Sequence, residues 1–125
     1  MKYDPERAPE PKAWLSLDEK LRIRACEEAH AEPPTWHPPI KSPTLHAGVH
    51  VVVENQLALG QPPQVRTALE RLVAQGLNRH EAIHEIGRLV SEVILDVTQQ
   101  KRPFDGEAYA AALDGLRGRV TPRRS

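Results

Sequence analysis

Apolar residues recur at helical spacing in the segment that runs from Thr44 to Gly60. Val49, Val53 and Leu57 share one face of an α-helix with His46, His50 and Glu54, because the six residues fall at i, i+3, i+4, i+7, i+8 and i+11 counted from His46. The β-branched valines at 49 and 51–53 would also suit a strand, but a two-residue alternation separates the apolar set less cleanly. The pattern therefore predicts a helix that has Thr44 as its N-cap and ends at Gly60.

Cap residues and stop signals mark three further helices in the C-terminal half of the chain. Asn78 and Glu81 have the spacing of a capping box, in which two side chains satisfy backbone amides at a helix start. Gly76 is a stop signal for the helix before it, and Asp105 is a suitable N-cap for the last helix. We expect these helices at about 62–76, 79–100 and 105–118.

The N-terminal part of the chain predicts one helix behind a proline-containing arm. Residues 1–13 contain three prolines among charged residues, and each proline removes a backbone donor and disfavours helix before it. We expect an extended arm that buries little, so that its deletion leaves melting nearly unchanged. Ser16 and Glu19 form another capping-box pattern, which predicts a helix from about Leu17 to Ala31.

A proline-rich connector at residues 33–43 joins this first helix to the next. Its five prolines exclude a helix or a central strand. Trp36 and Ile40 would have little use in a linker that only crosses solvent. We therefore expect both side chains to hold the connector against the helices.

Length and composition point to a single all-α domain. The chain has 125 residues, of which 39% are hydrophobic and only 4% aromatic, so the core must be aliphatic. We expect a compact bundle of about five helices over residues 14–118, followed by a basic tail at 119–125.

Charge and cysteine content narrow the function. The 17 basic and 17 acidic residues cancel, which argues against a nucleic-acid partner. Cys26 is the single cysteine, so it cannot form an internal disulfide, and we expect it in the core. No apolar run approaches the roughly 18 residues that span a bilayer, and no signal-peptide pattern is present. We therefore expect a cytoplasmic protein without a membrane partner.

Four histidines form two His-x-x-x-His pairs on predicted helices. The pairs are His46 with His50 and His80 with His84. Residues four apart lie about 6 Å apart on one helix face, so two imidazoles can bind one metal ion. In an up-and-down bundle the two helices would be parallel neighbours. Burying four imidazoles without an ion would leave polar atoms unsatisfied, so the spacing predicts a metal site.

Three glutamates accompany these pairs. Glu54 continues the first pair at the same interval and is predicted to be a fifth ligand. Glu81 and Glu85 flank the second pair, and we expect them to bridge ions or to support the ligands. Nitrogen-rich donors suit transition metals rather than magnesium or calcium, and zinc or iron is the expected cofactor. Gly48 and Gly87 are expected to let the helices approach closely near the histidines.

Three other interpretations stay open on the residues alone. The histidines would also suit a metal-free hydrogen-bond network with glutamates. The chain could instead be a metal-free interaction module that binds a protein partner, or a second copy of itself, through Trp36, the connector and the basic tail. Residues 80–84 match H-E-x-x-H, the motif of zinc peptidases. A metal-dependent hydrolase that activates a bound water therefore also stays open, although the sequence predicts no sheet to bind a peptide. The residues do not decide whether the protein is an enzyme.

His30 and His37 border the connector and are expected to face solvent.

The motifs carry a family resemblance. LHAGVHVVVENQLALGQPPQVRTALERLVAQGLNRHEAIHEIGRLV resembles a bacterial domain-of-unknown-function family with H-x-x-x-H-x-x-x-E, a proline-containing turn and a later R-H-[DE]-A-[IV]-H. DPERAPEPKAWLSLDEKLRI is similar to the family's D-P-x-x-W-L-x-L-D-E opening. The resemblance covers most of residues 4–97 and implies no particular activity. The family accepts aspartate at the position of Glu81, which implies that a peptidase-type base is not required there.

Overall fold

The computed structural model describes residues 2–117. Within that range the chain forms six α-helices and no strand, which confirms the predicted all-α bundle. The helices are α1 (Pro11–Ser16), α2 (Glu19–Ala29), α3 (Pro43–Leu59), α4 (Pro63–Ala74), α5 (Arg79–Thr98) and α6 (Gly106–Gly115). None of them is long and apolar enough to cross a bilayer. The predicted basic tail lies outside the described residues.

Most of the predicted helix boundaries in the C-terminal half are confirmed. Gly60 ends α3 in the left-handed conformation, with φ at 69°, which glycine adopts without a steric penalty. Asn78 and Glu81 form the predicted capping box at the start of α5, and Asp105 caps α6. The cap of α3 is Ser42 rather than Thr44, because the Ser42 hydroxyl accepts from the backbone of Leu45.

The predicted capping box at the first long helix is wrong. Ser16 is the last residue of a short helix, α1, and its hydroxyl donates to the carbonyl of Ala13. The next helix, α2, begins at Glu19 behind Asp18, whose side chain makes no capping hydrogen bond. The chain therefore has six helices where the pattern predicted about five.

Two apolar clusters share α3 as a common wall. The main core lies between α3, α4, α5 and α6 and includes Val53 and Ile86. A second cluster lies between the arm, α1, α2 and another face of α3, and includes Trp14, Cys26 and Val51. Because α3 is covered on two sides, its run of valines suits a helix buried over most of its surface. The expectation that Cys26 lies in the core is confirmed.

The N-terminal arm packs on the helices instead of extending into solvent. Tyr3 is only 4% exposed, and the carbonyl of Pro5 accepts from Arg79 at 2.9 Å. Just after the arm, the Trp14 indole donates to Asn55 on α3 at 2.9 Å. The prediction that residues 1–13 bury little is wrong for Tyr3 and Pro5, which are buried and hold the segment in place, whereas most of its other described residues are exposed.

Helices α3 and α5 run antiparallel. Glu54, late in α3, pairs with Arg79 at the start of α5, whereas His46, early in α3, lies beside His84, with ring centroids 4.9 Å apart. The predicted parallel arrangement is wrong because α4, with only 12 residues, packs mainly on α5 and α6 and is not a full-length neighbour of α3.

One of the two glycines permits close packing of α3 on α5. A Cβ on Gly87 would lie 2.8 Å from a methyl carbon of Val49, which is well inside van der Waals contact. A Cβ on Gly48 would meet nothing within 4 Å. The expectation is confirmed for Gly87 and wrong for Gly48.

Candidate metal centre

All six histidines of the chain converge at one end of the bundle. Four come from the predicted pairs on α3 and α5, and ring-to-ring contacts join the two pairs. The other two come from the C-cap of α2 and from the connector. The six residues are His30, His37, His46, His50, His80 and His84. We refer to them as the histidine cluster.

Three Nε2 atoms of the cluster lie in direct contact. His30 Nε2 is 3.1 Å from His80 Nε2 and 3.3 Å from His46 Nε2. The other ring nitrogen of His30 donates to the carbonyl of Cys26 at 2.7 Å, so a neutral His30 turns its Nε2 lone pair towards the other two rings. Four nitrogens held tetrahedrally at typical Zn–N bond lengths lie about 3.3 to 3.4 Å apart. The observed spacings are close to that value.

The other three Nε2 atoms are buried and have no hydrogen-bond partner in the protein. They belong to His37, His50 and His84. In His37, Nδ1 donates to the carbonyl of Pro38 at 2.7 Å, which leaves the Nε2 lone pair available. Fixing a histidine through its second nitrogen is the usual way in which proteins orient a metal ligand.

A chain of hydrogen bonds orients His50. The Tyr3 hydroxyl donates to Glu54 Oε2 at 2.5 Å. Its single proton is used there, so the Tyr3 oxygen accepts from His50 Nδ1 at 3.3 Å. The Glu54 carboxylate oxygens also accept hydrogen bonds from the two terminal nitrogens of the Arg79 guanidinium, each at 2.8 Å. Glu54 was predicted as a ligand, but the structure places it behind His50, where it fixes the ring through Tyr3.

Five of the histidines could hold one ion. Each of His30, His37, His46, His80 and His84 has a ring nitrogen that lies within 4.8 Å of the corresponding atoms of the other four. Opposite ligands of an octahedral ion with bonds of about 2.1 Å lie about 4.2 Å apart. The group is therefore near the size of a single coordination shell. His50 lies outside this group of five, with its ring 4.5 Å from that of His30.

The electrostatics of the cluster favour neutral imidazoles. Burial, reinforced by the neighbouring rings, lowers the pKa of His46 to about 4, of His84 to about 3 and of His80 to about 2. Burial is also the largest cause of the lowered pKa values of His30 and His50. Neutral imidazole is the form that binds metal, so these rings are ready to bind at neutral pH without losing a proton.

Residues 22–115 match the sequence model of a protein family described as a domain of unknown function, DUF1841. The chain belongs to this family. The match confirms the resemblance to a domain-of-unknown-function family, and it contains all six histidines. No curated protein and no solved structure matches the chain.

The two remaining acidic candidates of this DUF1841 domain have different surroundings. Glu81 Oε1 accepts from the backbone N–H of Asn78 at 2.9 Å, as the capping box requires. Glu85 has one buried carboxylate oxygen without a hydrogen bond, 3.7 Å from Arg88. Neither carboxylate belongs to the group of five donors that could hold an ion. The cap gives Glu81 a structural role that does not depend on peptidase chemistry.

Sequence spacing missed two members of the cluster. His30 and His37 were expected to face solvent, but His30 is buried and both belong to the group of five donors. Neither has a histidine four residues away, so the pair pattern could not identify them. One signal was available, since His37 adjoins Trp36, an apolar residue expected to pack. Trp36 does pack, with its ring 5.0 Å from that of His80.

Proposed function

We propose that this DUF1841 domain binds a transition-metal ion, zinc or iron, in the histidine cluster. The observation that carries the proposal is the pair of buried Nε2 atoms, on His37 and His84, that have no hydrogen-bond partner in the protein and lie on two histidines of the group of five. The other three members of that group are His30 and the two residues whose Nε2 atoms contact its own, His46 and His80. A cation bound by the five would give the lone pairs of His37 and His84 a partner.

The magnitude of the polar penalty favours an ion over a metal-free network. Each unsatisfied buried polar atom costs about 1 to 3 kcal/mol, so the two that an ion would satisfy, on His37 and His84, cost about 2 to 6 kcal/mol. That is a large share of the stability of a small domain, about 5 to 15 kcal/mol. In a metal-free network the His30 lone pair would accept one hydrogen bond, and the nitrogens of His37 and His84 would still have no partner.

The donor set supports zinc or iron. Imidazole nitrogen suits zinc, iron, nickel and copper. The group of five donors consists of histidines and contains no carboxylate or thiolate. Structural zinc is almost always held by four ligands. A shell of five imidazoles therefore suits six-coordinate iron, and a subset of four suits zinc.

Metal analysis of untagged protein tests the proposal. We expect close to one equivalent of metal after growth with zinc or iron, and stoichiometric rebinding of that metal after removal by a chelator. The ion should raise the melting temperature, because it binds the folded chain and not the unfolded one. Less than about one-tenth of an equivalent, after supplementation with each metal, would overturn the proposal.

Substitution of His37 distinguishes the group of five histidines from the ligand set predicted by spacing. His37 is half-buried, so His37→Ala should weaken metal binding at least about tenfold while changing the stability of metal-free protein little. Thr35→Ala, at an exposed position of the same connector, is the matched control and should change neither. Unchanged metal affinity in His37→Ala would remove this histidine from the site.

Substitution of Glu81 tests the peptidase interpretation. Glutamine can still occupy the capping box, so Glu81→Gln should keep metal binding and most of the stability. The measurement is a metal titration and a thermal melt of both proteins, together with a peptidase assay. Peptidase activity in the parent that disappears in the variant would restore the catalytic role of this glutamate.

A further inference from the structure

A cavity opens directly beside the histidine cluster, between α3, α5 and the end of the connector. Its volume is about 370 Å³, and three histidines of the cluster, His46, His50 and His84, form part of its wall. Much of the remaining wall is aliphatic and comes from the connector, α3 and α5, through Ile40, Val49 and Ile83 among others. A volume of a few hundred Å³ with mostly apolar walls and a few polar groups is typical of a small-molecule site.

Three residues that line the cavity each have a buried nitrogen without a hydrogen bond in the protein. The atoms are His50 Nε2, His84 Nε2 and Arg88 Nε. In the proposed metal site, His84 Nε2 would bind the ion. His84 and Arg88 are four residues apart on α5, so they project from the same helix face. One ligand head group could therefore contact Arg88 and the ion that His84 would hold.

The positive charge of the cavity wall favours an anionic head group. Lys41 and Arg88 are the charged residues among the described residues that line the cavity, and both are cationic. The carboxylates that contact Arg88, those of Glu85 and Glu92, are not part of the wall. A metal ion in the cluster would add further positive charge. Guanidinium and metal ions both bind carboxylates well.

We propose that this cavity binds a small organic carboxylate, with its carboxylate towards the histidine cluster and Arg88 and its apolar part against the aliphatic wall. The proposal rests on the proposed metal site, because the ion supplies part of the attraction. It assigns the domain a ligand, in addition to the ion itself. It also gives a function to the position of Arg88 in the wall of a largely aliphatic cavity beside the histidine cluster.

Cobalt-loaded protein provides the test, since the visible spectrum of Co(II) reports changes in its ligands. The loaded protein is titrated with benzoate, with acetate, which lacks the ring, and with benzyl alcohol, which lacks the charge. Amide chemical shifts of Ile40 and Gly87 follow the same titrations in zinc-loaded protein, because Zn(II) is diamagnetic and does not dominate the shifts of nearby amides. We expect benzoate to bind at least about tenfold more tightly than either comparison compound, because only benzoate has both features.

Two variants and one control locate the binding. Arg88→Gln should weaken benzoate at least about tenfold and leave benzyl alcohol unchanged, because it removes a charge-assisted contact. Ser91→Phe, on the cavity wall, should exclude benzoate but still admit acetate. Arg24→Gln, at an exposed arginine on α2, should behave like the parent.

Each failure has a distinct meaning. If the protein does not load cobalt, the metal site is overturned, and the ligand proposal with it. If cobalt loads but benzoate changes neither the spectrum nor the amide shifts, only the ligand proposal is overturned. Equal affinity for benzoate and benzyl alcohol would also overturn it, because the cavity would then not select a carboxylate.

Discussion

Removal of one hydroxyl, in Tyr3→Phe, tests whether the arm is part of the domain. The substitution keeps the buried ring but deletes the hydrogen bond to Glu54 and the acceptor for His50 Nδ1. A hydrogen bond to a charged group contributes about 1.5 to 3 kcal/mol, and a stranded buried donor costs about 1 to 3 kcal/mol. Since the two effects are coupled, we expect a total loss of about 3 kcal/mol.

The expected shift in melting temperature follows from the size of the chain. At about 2.1 cal/mol/K per residue, 125 residues have an unfolding entropy of about 0.26 kcal/mol/K. A loss of about 3 kcal/mol therefore lowers the melting temperature by about 10 °C. The assay is thermal and urea unfolding of metal-free protein with a chelator present, so that any loss of bound metal does not contribute.

A matched control is available on α6. Tyr109 is also 4% exposed, but its hydroxyl donates to the neutral side chain of Gln56 at 2.7 Å. Tyr109→Phe should therefore cost about 1 kcal/mol. If Tyr3→Phe were no more destabilising than Tyr109→Phe, the network behind His50 would not contribute as argued.

Two further predictions concern acid and helix packing. The unfolded chain protonates histidine near pH 6.5, whereas burial holds the pKa of His80 at about 2 and lowers that of His50 as well. The free energy of unfolding should therefore be highest above about pH 6.5 and fall with decreasing pH by about 1.4 kcal/mol per pH unit for each such histidine. The measurement is urea unfolding of metal-free protein, and equal stability at pH 5 and pH 7 would contradict this. Gly87→Ala should destabilise the protein by about 1 to 2 kcal/mol, because the added Cβ meets the stiff Val49 side chain. Gly48→Ala should stabilise the protein by about 0.5 to 1 kcal/mol, because the added Cβ meets nothing within 4 Å. Thermal melts that rank the two variants the other way would refute this packing.

Local signals in the sequence predicted the helical part of the fold well. The capping box of Asn78 and Glu81 and the glycine at 60 are short-range features whose chemistry operates within one turn, so they could be identified without tertiary structure. The direction of α5 relative to α3 depends on how the short α4 packs. No local pattern encodes that packing, and the parallel prediction was wrong for this reason.

The candidate site was likewise predictable only where its residues follow a local pattern. Spacing brought together His46, His50, His80 and His84 because each pair repeats at one helical turn. His30 and His37 enter the cluster only through the path of the connector, which a sequence pattern does not determine. Tyr3 was missed because its partners lie 47 and 51 residues away, in a segment whose prolines and charges suggested solvent.

The distance along the chain between the histidines has a consequence for folding. His30 and His80 are 50 residues apart in sequence, yet their Nε2 atoms are 3.1 Å apart. An ion that joined them would act as a cross-link that closes a long loop in the unfolded chain, an effect worth about 4 kcal/mol for a covalent link of that length. The segments so joined are α2, the connector, α3 and α5, whereas α4 and α6 contribute no histidine. Removal of such an ion should therefore speed amide hydrogen exchange more in α2 than in α4 and α6.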